Sequence, residues 1–175
     1  MLQRYKEKRR QRDLADRTYV ALVTQARTPA FYADLLVPDS LDGRFELMVL
    51  HVYALTRALD GRSEAAATLA RQVLEAMIDD MDRTLREIGV GDMSVGRKVK
   101  QMAAAFYGRS AAYDAARDDE GRALEDAIVR NVYAGVAPAG DGPRRLAAYL
   151  TAMIARIAES DDLAIAEGRI SYPEM

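Results

Sequence analysis

The chain contains no cysteine and only one histidine, His51. The absence of cysteine excludes disulfides, thiolate nucleophiles and cysteine-ligated zinc or iron–sulfur sites. One histidine cannot supply the paired Glu-x-x-His of helical di-iron proteins, nor the His-Glu-x-x-His of zinc peptidases. Only an all-oxygen metal site would remain. No apolar stretch approaches the roughly 18 residues that suggest a bilayer-spanning helix. The opening segment, MLQRYKEKRRQRDLADR, is too polar for a secretory signal. A protein made and kept in the cytoplasm is therefore expected. There is no alternating strand pattern, no repeat of fixed period and no Gly-x-Ser-x-Gly. Gly-Val-Gly at 89–91 has no strand before it and no Gly-Lys-Ser/Thr after it, so it reads as a helix cap and turn. No catalytic set is legible, and neither a cofactor nor a metal is expected.

What is present is a globular balance. Half of the 175 residues are hydrophobic and 30% are charged, which argues against disorder. The net charge of -2 is not that of a polyanion binder, and DNA is not an expected partner. Apolar residues recur at helical spacing from 14 to 165, predicting an all-α, single-domain bundle of about six or seven helices. Three segments are expected: a basic N-terminal arm (1–12), a helical domain (13–168) and a C-terminal tail (169–175). Leu14, Tyr19, Leu22, Val23 and Ala26 suggest the first helix. Thr28-Pro29 starts a short one, ended by Pro38. Asp39, Ser40 and Asp42 are alternative caps for a helix over 41–60. Its inner stripe reads Leu41, Phe45, Met48, Val49, Val52, Leu55 and Leu59. His51 falls at the flank of that stripe, as a boundary histidine with one polar partner.

Ser63 can cap a long helix over 64–88, with Gly89 as its left-handed terminus. Asp92 or Ser94 can cap the next. That helix has two apolar faces, one of them small (Ala104, Ala105, Gly108, Ala112), so it should be sandwiched between neighbours. Asp118 or Asp119 begins a helix to about 133, and Pro143 begins another. Ser160 either breaks that last helix or caps one more turn containing Leu163 and Ile165. The loops are short, so successive helices should pack antiparallel. The expected core includes Phe45, Met48, Val52, Val73, Met77, Met81, Val99, Met102, Phe106, Leu150 and Ile157.

Three charged features carry the functional reading. Arg4, Lys6, Lys8, Arg9, Arg10 and Arg12 crowd the N-terminus, either as a solvated helix start or as a contact for anionic lipid or ribosomal RNA. Asp79-Asp80-Met81-Asp82 resembles a diphosphate-magnesium motif only loosely, and Arg83 and Arg86 beside it favour local ion pairs. Asp79–Arg83 and Asp82–Arg86 have the favourable acid-first spacing. Arg97, Lys98 and Lys100 sit in the first turns of a helix, where the macrodipole opposes positive charge. Nearby acids or a partner would account for them.

The stretch DMDRTLREIGVGDMSVGRKVKQMAAAFYGR, residues 80–109, resembles the hallmark block of the ubiquinol–cytochrome c chaperone family. TPAFYADLLVPDSLDGRFELMVLHVYALTRAL is similar to that family's N-terminal half. The resemblance implies a non-catalytic assembly factor for the cytochrome bc complex, binding cytochrome b or another respiratory-complex subunit. It implies contacts near the ribosome or at an anionic inner-membrane surface through the basic arm. The polar start points to a bacterial-type member. The partner-binding residues expected on the block and its charged turn are Asp79, Asp82, Arg83, Arg86, Asp92, Arg97, Lys98, Lys100, Tyr107 and Arg109. Two competing readings are a helical enzyme or isoprenoid-type ligand binder with a dispersed site, and an RNA-binding module using the arm.

Overall fold

The computed structural model describes residues 2–119, 122–161, 164–165, 167 and 169–174. Among these there are seven helices and no strand: α1 (Leu2–Ala26), α2 (Pro29–Ala33), α3 (Leu41–Leu59), α4 (Glu64–Glu87), α5 (Asp92–Arg117), α6 (Ala123–Val132) and α7 (Gly142–Glu159).

The bundle is organised around α3, which packs against α1, α4, α5, α6 and α7. The run LMVLHVYAL explains its place. A helix that is apolar on every side can shed water only by being surrounded. Leu47, Val49, Leu50, Val52, Tyr53, Ala54 and Leu55 are all buried. The stripe expected from sequence is therefore too narrow and turned slightly: Leu41 is exposed, while Phe45 and Met48 are half-buried. Ser40 caps α3, its hydroxyl accepting from the Gly43 N–H at 3.1 Å. Val73, Met77 and Met81 of α4, Phe106 of α5, and Leu150 and Ile157 of α7 are buried against α3 or its neighbours. Val99 and Met102 are only half-buried.

Cross-contacts fix the directions. Tyr53 and Asp114 meet, as do Glu46 and Arg109, so α5 runs parallel to α3. His51 meets Tyr149 and Arg62 meets Ile157, so α7 is parallel to α3 as well. Successive long helices consequently alternate in direction from α3 to α7. Arg62, in the turn after α3, donates to the Ile157, Ala158 and Ser160 carbonyls. These are orphan acceptors at the end of α7, so the guanidinium satisfies them and complements the dipole.

Several boundaries differ from the sequence expectation. α1 already includes the basic residues from Leu2 onward. α6 begins at Ala123 rather than at Asp118 or Asp119. Ser160 ends α7, its hydroxyl donating to the Arg156 carbonyl. Ile165 is buried, and Leu163 lies outside the described residues. The small face of α5 is not sandwiched: Ala104 and Gly108 are exposed, and nothing lies within 4 Å of where a Gly108 Cβ would stand.

Candidate functional site

The turn between α4 and α5 is built by its glycine. Gly89 has φ 84°, a left-handed conformation that costs glycine little. The Gly89 N–H then reaches the Arg86 carbonyl at 3.0 Å, and the Val90 N–H reaches Leu85 at 2.9 Å. These bonds close the end of α4. The reversal carries Asp92 back beside Arg86, whose guanidinium donates to Asp82 at 2.6 Å and also to Asp92. Its hydrogen bond holds the Asp82 carboxyl below the usual range. A cation at the end of α4 and an acid at the start of α5 each suit the local macrodipole. Asp92 is thus not the cap of α5. Gly91 occupies that position without a side-chain bond.

Two other expected members face elsewhere. Asp79 pairs with Arg12 of α1 at 3.2 Å, and Arg83 pairs with Asp80. The Asp79–Arg83 pair expected from spacing does not form, because α1 offers Asp79 a different cation. Asp80 also accepts from the Tyr19 hydroxyl at 2.8 Å, and burial with this bond pushes the Tyr19 pKa well up. Three neighbouring carboxylates thus serve different partners: Asp79 meets Arg12, Asp80 meets Arg83 and Tyr19, and Asp82 meets Arg86. Among the described residues, no cluster of His, Cys, Asp and Glu could hold a metal.

Arg97, Lys98 and Lys100 are exposed and make no ion pair or hydrogen bond among the described residues. Two large apolar side chains stand open at the same end of the bundle, Ile88 at 62% and Met93 at 97% exposure. Tyr107, on α5, is also exposed. Arg109 instead turns inward: its guanidinium forks onto both carboxylate oxygens of Glu46 and lies 5.9 Å from the Phe45 ring centroid. Burial pushes the Glu46 carboxyl up, and Arg109 opposes that shift. An acid within an apolar run signals a buried charge needing a partner, but the partner is 63 residues away in sequence.

His51 is fully buried, at the centre of the core rather than its boundary. Its Nδ1 is 2.7 Å from the Leu47 carbonyl, which can only accept, so Nδ1 carries the proton. Nε2 then accepts from the Tyr149 hydroxyl at 3.0 Å, and Gln25 donates to that hydroxyl at 3.1 Å. Phe31 stands edge-on to both rings. The sequence misplaced His51 because α3 has no solvent-facing flank at that level. Burial lowers its pKa to about 4, so the ring is neutral near pH 7. Among the described residues its ring nitrogens meet the Leu47 carbonyl and the Tyr149 hydroxyl, and no carboxylate orients it as a general base.

A cleft of about 470 Å³ lies between the first turns of α1 and α4, with Leu14, Ala66, Leu69 and Ile165 among its lining. A second, of about 250 Å³, lies against Leu35 and Tyr149. Among the described residues, no helix is long and apolar enough to cross a membrane.

A family model described as ubiquinol-cytochrome C chaperone matches residues 33–172. The ubiquinol-cytochrome-c reductase complex assembly factor 1 of Xenopus laevis is 23% identical over 130 residues, covering 74% of this chain. The match spans 64% of that relative's length. The crystal structure of the Cbp3 homolog from Brucella abortus is similar with a TM-score of 0.85 and 34% sequence identity. That likeness covers 99% of this chain and 96% of the other.

Proposed function

The chain belongs to the ubiquinol-cytochrome C chaperone family, and from that premise we propose that it is a non-catalytic assembly factor of the ubiquinol–cytochrome c reductase complex. It holds a newly made subunit, cytochrome b, on the surface around the α4–α5 turn. The observation carrying this reading is the group of unpaired cations, Arg97, Lys98 and Lys100, near the open side chains of Ile88 and Met93. Exposed cations beside exposed apolar groups can take a client segment that offers both acidic and apolar residues. The Asp82–Arg86–Asp92 cluster fixes the turn that presents them. No step of bond making is assigned, since His51 is buried and neutral and the neighbouring aspartates are in ion pairs.

The basic first turns of α1 supply a second contact within the same function. Lys6, Lys8, Arg9 and Arg10 are exposed at the end of the bundle opposite the α4–α5 turn. Lying near a ribosome or an anionic inner-membrane surface, they would bring the chaperone to the client as it emerges.

Two charge reversals, Asp82→Lys and Lys98→Glu, test the surface. Lys98 makes no ion pair among the described residues, and the Asp82–Arg86 pair is exposed. Exposed pairs contribute below about 1 kcal/mol each, so both proteins should melt close to wild type. Binding to cytochrome b or its nascent chain should fall at least about tenfold, that is by about 1.4 kcal/mol. Unchanged binding by both folded variants would move the client site elsewhere, first to the basic turns of α1.

A further inference from the structure

The cleft between the first turns of α1 and α4 joins an apolar floor to a charged edge. Ala66, Leu69 and Ile165 in its lining are buried, and Leu14 is half-buried beside them. Glu7 and Arg10 line it as well, and both are exposed. Glu7, Arg10 and Leu14 have the spacing of one helix face, so α1 presents the edge and part of the floor together. The Glu7 carboxylate accepts from Gln11 at 3.5 Å. Arg10 makes no ion pair or hydrogen bond among the described residues, and neither do Lys6 and Arg9.

Those three cations adjoin. Lys6 stands three residues before Arg9 and four before Arg10, which makes them neighbours on the helix surface. Like charges at that spacing repel, and the macrodipole opposes cations at the start of a helix. Arg12, further along, has Asp79 to offset its charge. An anion lying on Lys6, Arg9 and Arg10 would relieve both costs.

The volume decides what can lie in the cleft. It is about 470 Å³, in the range of small-ligand sites. A helix about 10 Å across takes up about 120 Å³ per residue, so the cleft would hold barely one turn of a docked helix. One extended alkyl chain fits. At roughly 30 Å³ for each water-sized methylene, about ten carbons need about 300 Å³. An anionic head joined to an alkyl chain therefore matches both the edge and the floor. Tyr5 points to a bilayer as its source. It is 69% exposed and neighbours Lys8 and Arg9 on the helix surface. An exposed aromatic among cations is the composition of a helix seated at headgroup level.

We propose that the α1–α4 cleft takes one acyl chain of an anionic phospholipid from a membrane surface, with the phosphate on Lys6, Arg9 and Arg10. This site rests on the reading that the basic turns of α1 meet an anionic membrane, and it adds a bound lipid to that contact. The chain passes from one apolar medium to another, so its own transfer gains little. The gain is on the protein side: Leu14 is covered, and the walls of an open cleft acquire packing contacts. Charge brings the protein to the surface, and the lodged chain orients it. The α4–α5 turn, at the opposite end of the bundle, then faces away from the lipid.

The full chain has no tryptophan, so Gln72→Trp, half-buried in the cleft lining, gives a single fluorescent reporter. It is titrated with vesicles of phosphatidylcholine alone or mixed with phosphatidylglycerol. Binding should need phosphatidylglycerol and weaken with salt, and bromines near the ends of the acyl chains should quench the reporter. Ala65→Leu with Thr68→Phe fills the cleft from an exposed and a half-buried position. It should abolish the quenching and raise the vesicle Kd at least about fivefold, with the salt dependence kept. Ala65→Leu alone is the milder change and should move both readouts the same way, and circular dichroism checks that each variant is folded. Lys6→Glu with Arg10→Glu should raise Kd at least about tenfold. Binding to phosphatidylglycerol vesicles with the reporter unquenched would overturn the acyl-chain site and leave the membrane contact standing. So would quenching that persists at full strength in the filled variants. A chain that binds neither vesicle, or a double charge reversal that changes nothing, would overturn the membrane contact and the site with it.

Discussion

Replacing Arg109 by Leu removes the guanidinium while keeping part of the stem's bulk. Glu46 is then left with a side chain only 7% exposed and no cation facing it. Breaking a fully buried pair costs about 3–5 kcal/mol. Here the Arg109 side chain is 25% exposed, so water can partly replace it. Burial already pushes the Glu46 carboxyl up, so protonation offers a second escape. A loss of about 2–3 kcal/mol at neutral pH is expected. With about 2.1 cal/mol/K of unfolding entropy per residue, the 175-residue chain should melt about 5–8 °C lower.

The sign with pH follows from the same group. Without Arg109, the folded-state pKa of Glu46 rises further above its unfolded value, so the folded variant binds a proton more tightly. Its deficit should shrink as pH falls towards the unfolded Glu range, about 4.3. Thermal melts followed by circular dichroism at neutral pH and at about pH 5 measure both effects. Arg109→Leu combined with Glu46→Leu should recover most of the loss, because no charge is left stranded. A single variant melting within about 1 °C of wild type would refute the argument. So would a double variant no better than the single one. Loss of client binding by the stable double variant would place Arg109 on the client surface as well.

Three further outcomes are expected. His51 is neutral in the fold with a pKa of about 4, against 6.5 when unfolded. The unfolded chain therefore binds the extra proton between these values. Stability should be complete above pH 6.5 and fall by up to about 3 kcal/mol towards pH 4. His51→Gln should flatten that slope and leave client binding at neutral pH intact, and an unchanged slope would show that His51 is not its source. Gly43→Ala, in the first turn of α3, drives a Cβ into the Pro38 carbonyl. It should lower the denaturation midpoint by the equivalent of about 2 kcal/mol, where alanine in a helix ordinarily helps. Ser63→Ala removes the cap of α4, whose hydroxyl accepts from the Ala66 N–H at 3.2 Å. It should cost about 1 kcal/mol in a urea titration, and no measurable cost would show that the cap is dispensable.

The helices, the α4–α5 reversal and the family were legible in the sequence because each depends on local chemistry. Ser40 and Ser63 cap because a hydroxyl can reach a free N–H three residues on. Gly89 turns the chain because only glycine takes a positive φ cheaply. The Asp82–Arg86 pair follows from one turn of helix. Tertiary structure decided what lies between elements. Whether Asp79 meets Arg83 or Arg12 depends on where α1 lies, and periodicity along α4 carries no trace of α1. His51 and the stripe of α3 were misjudged because a helix surrounded on all sides gives no contrast between inner and outer faces. The small face of α5 was misread for the converse reason. Its composition says that a neighbour could pack there, but only the placement of the other six helices leaves that face open. Local pattern thus fixes what each segment can bury, while the arrangement of the chain decides which of those surfaces still meet water.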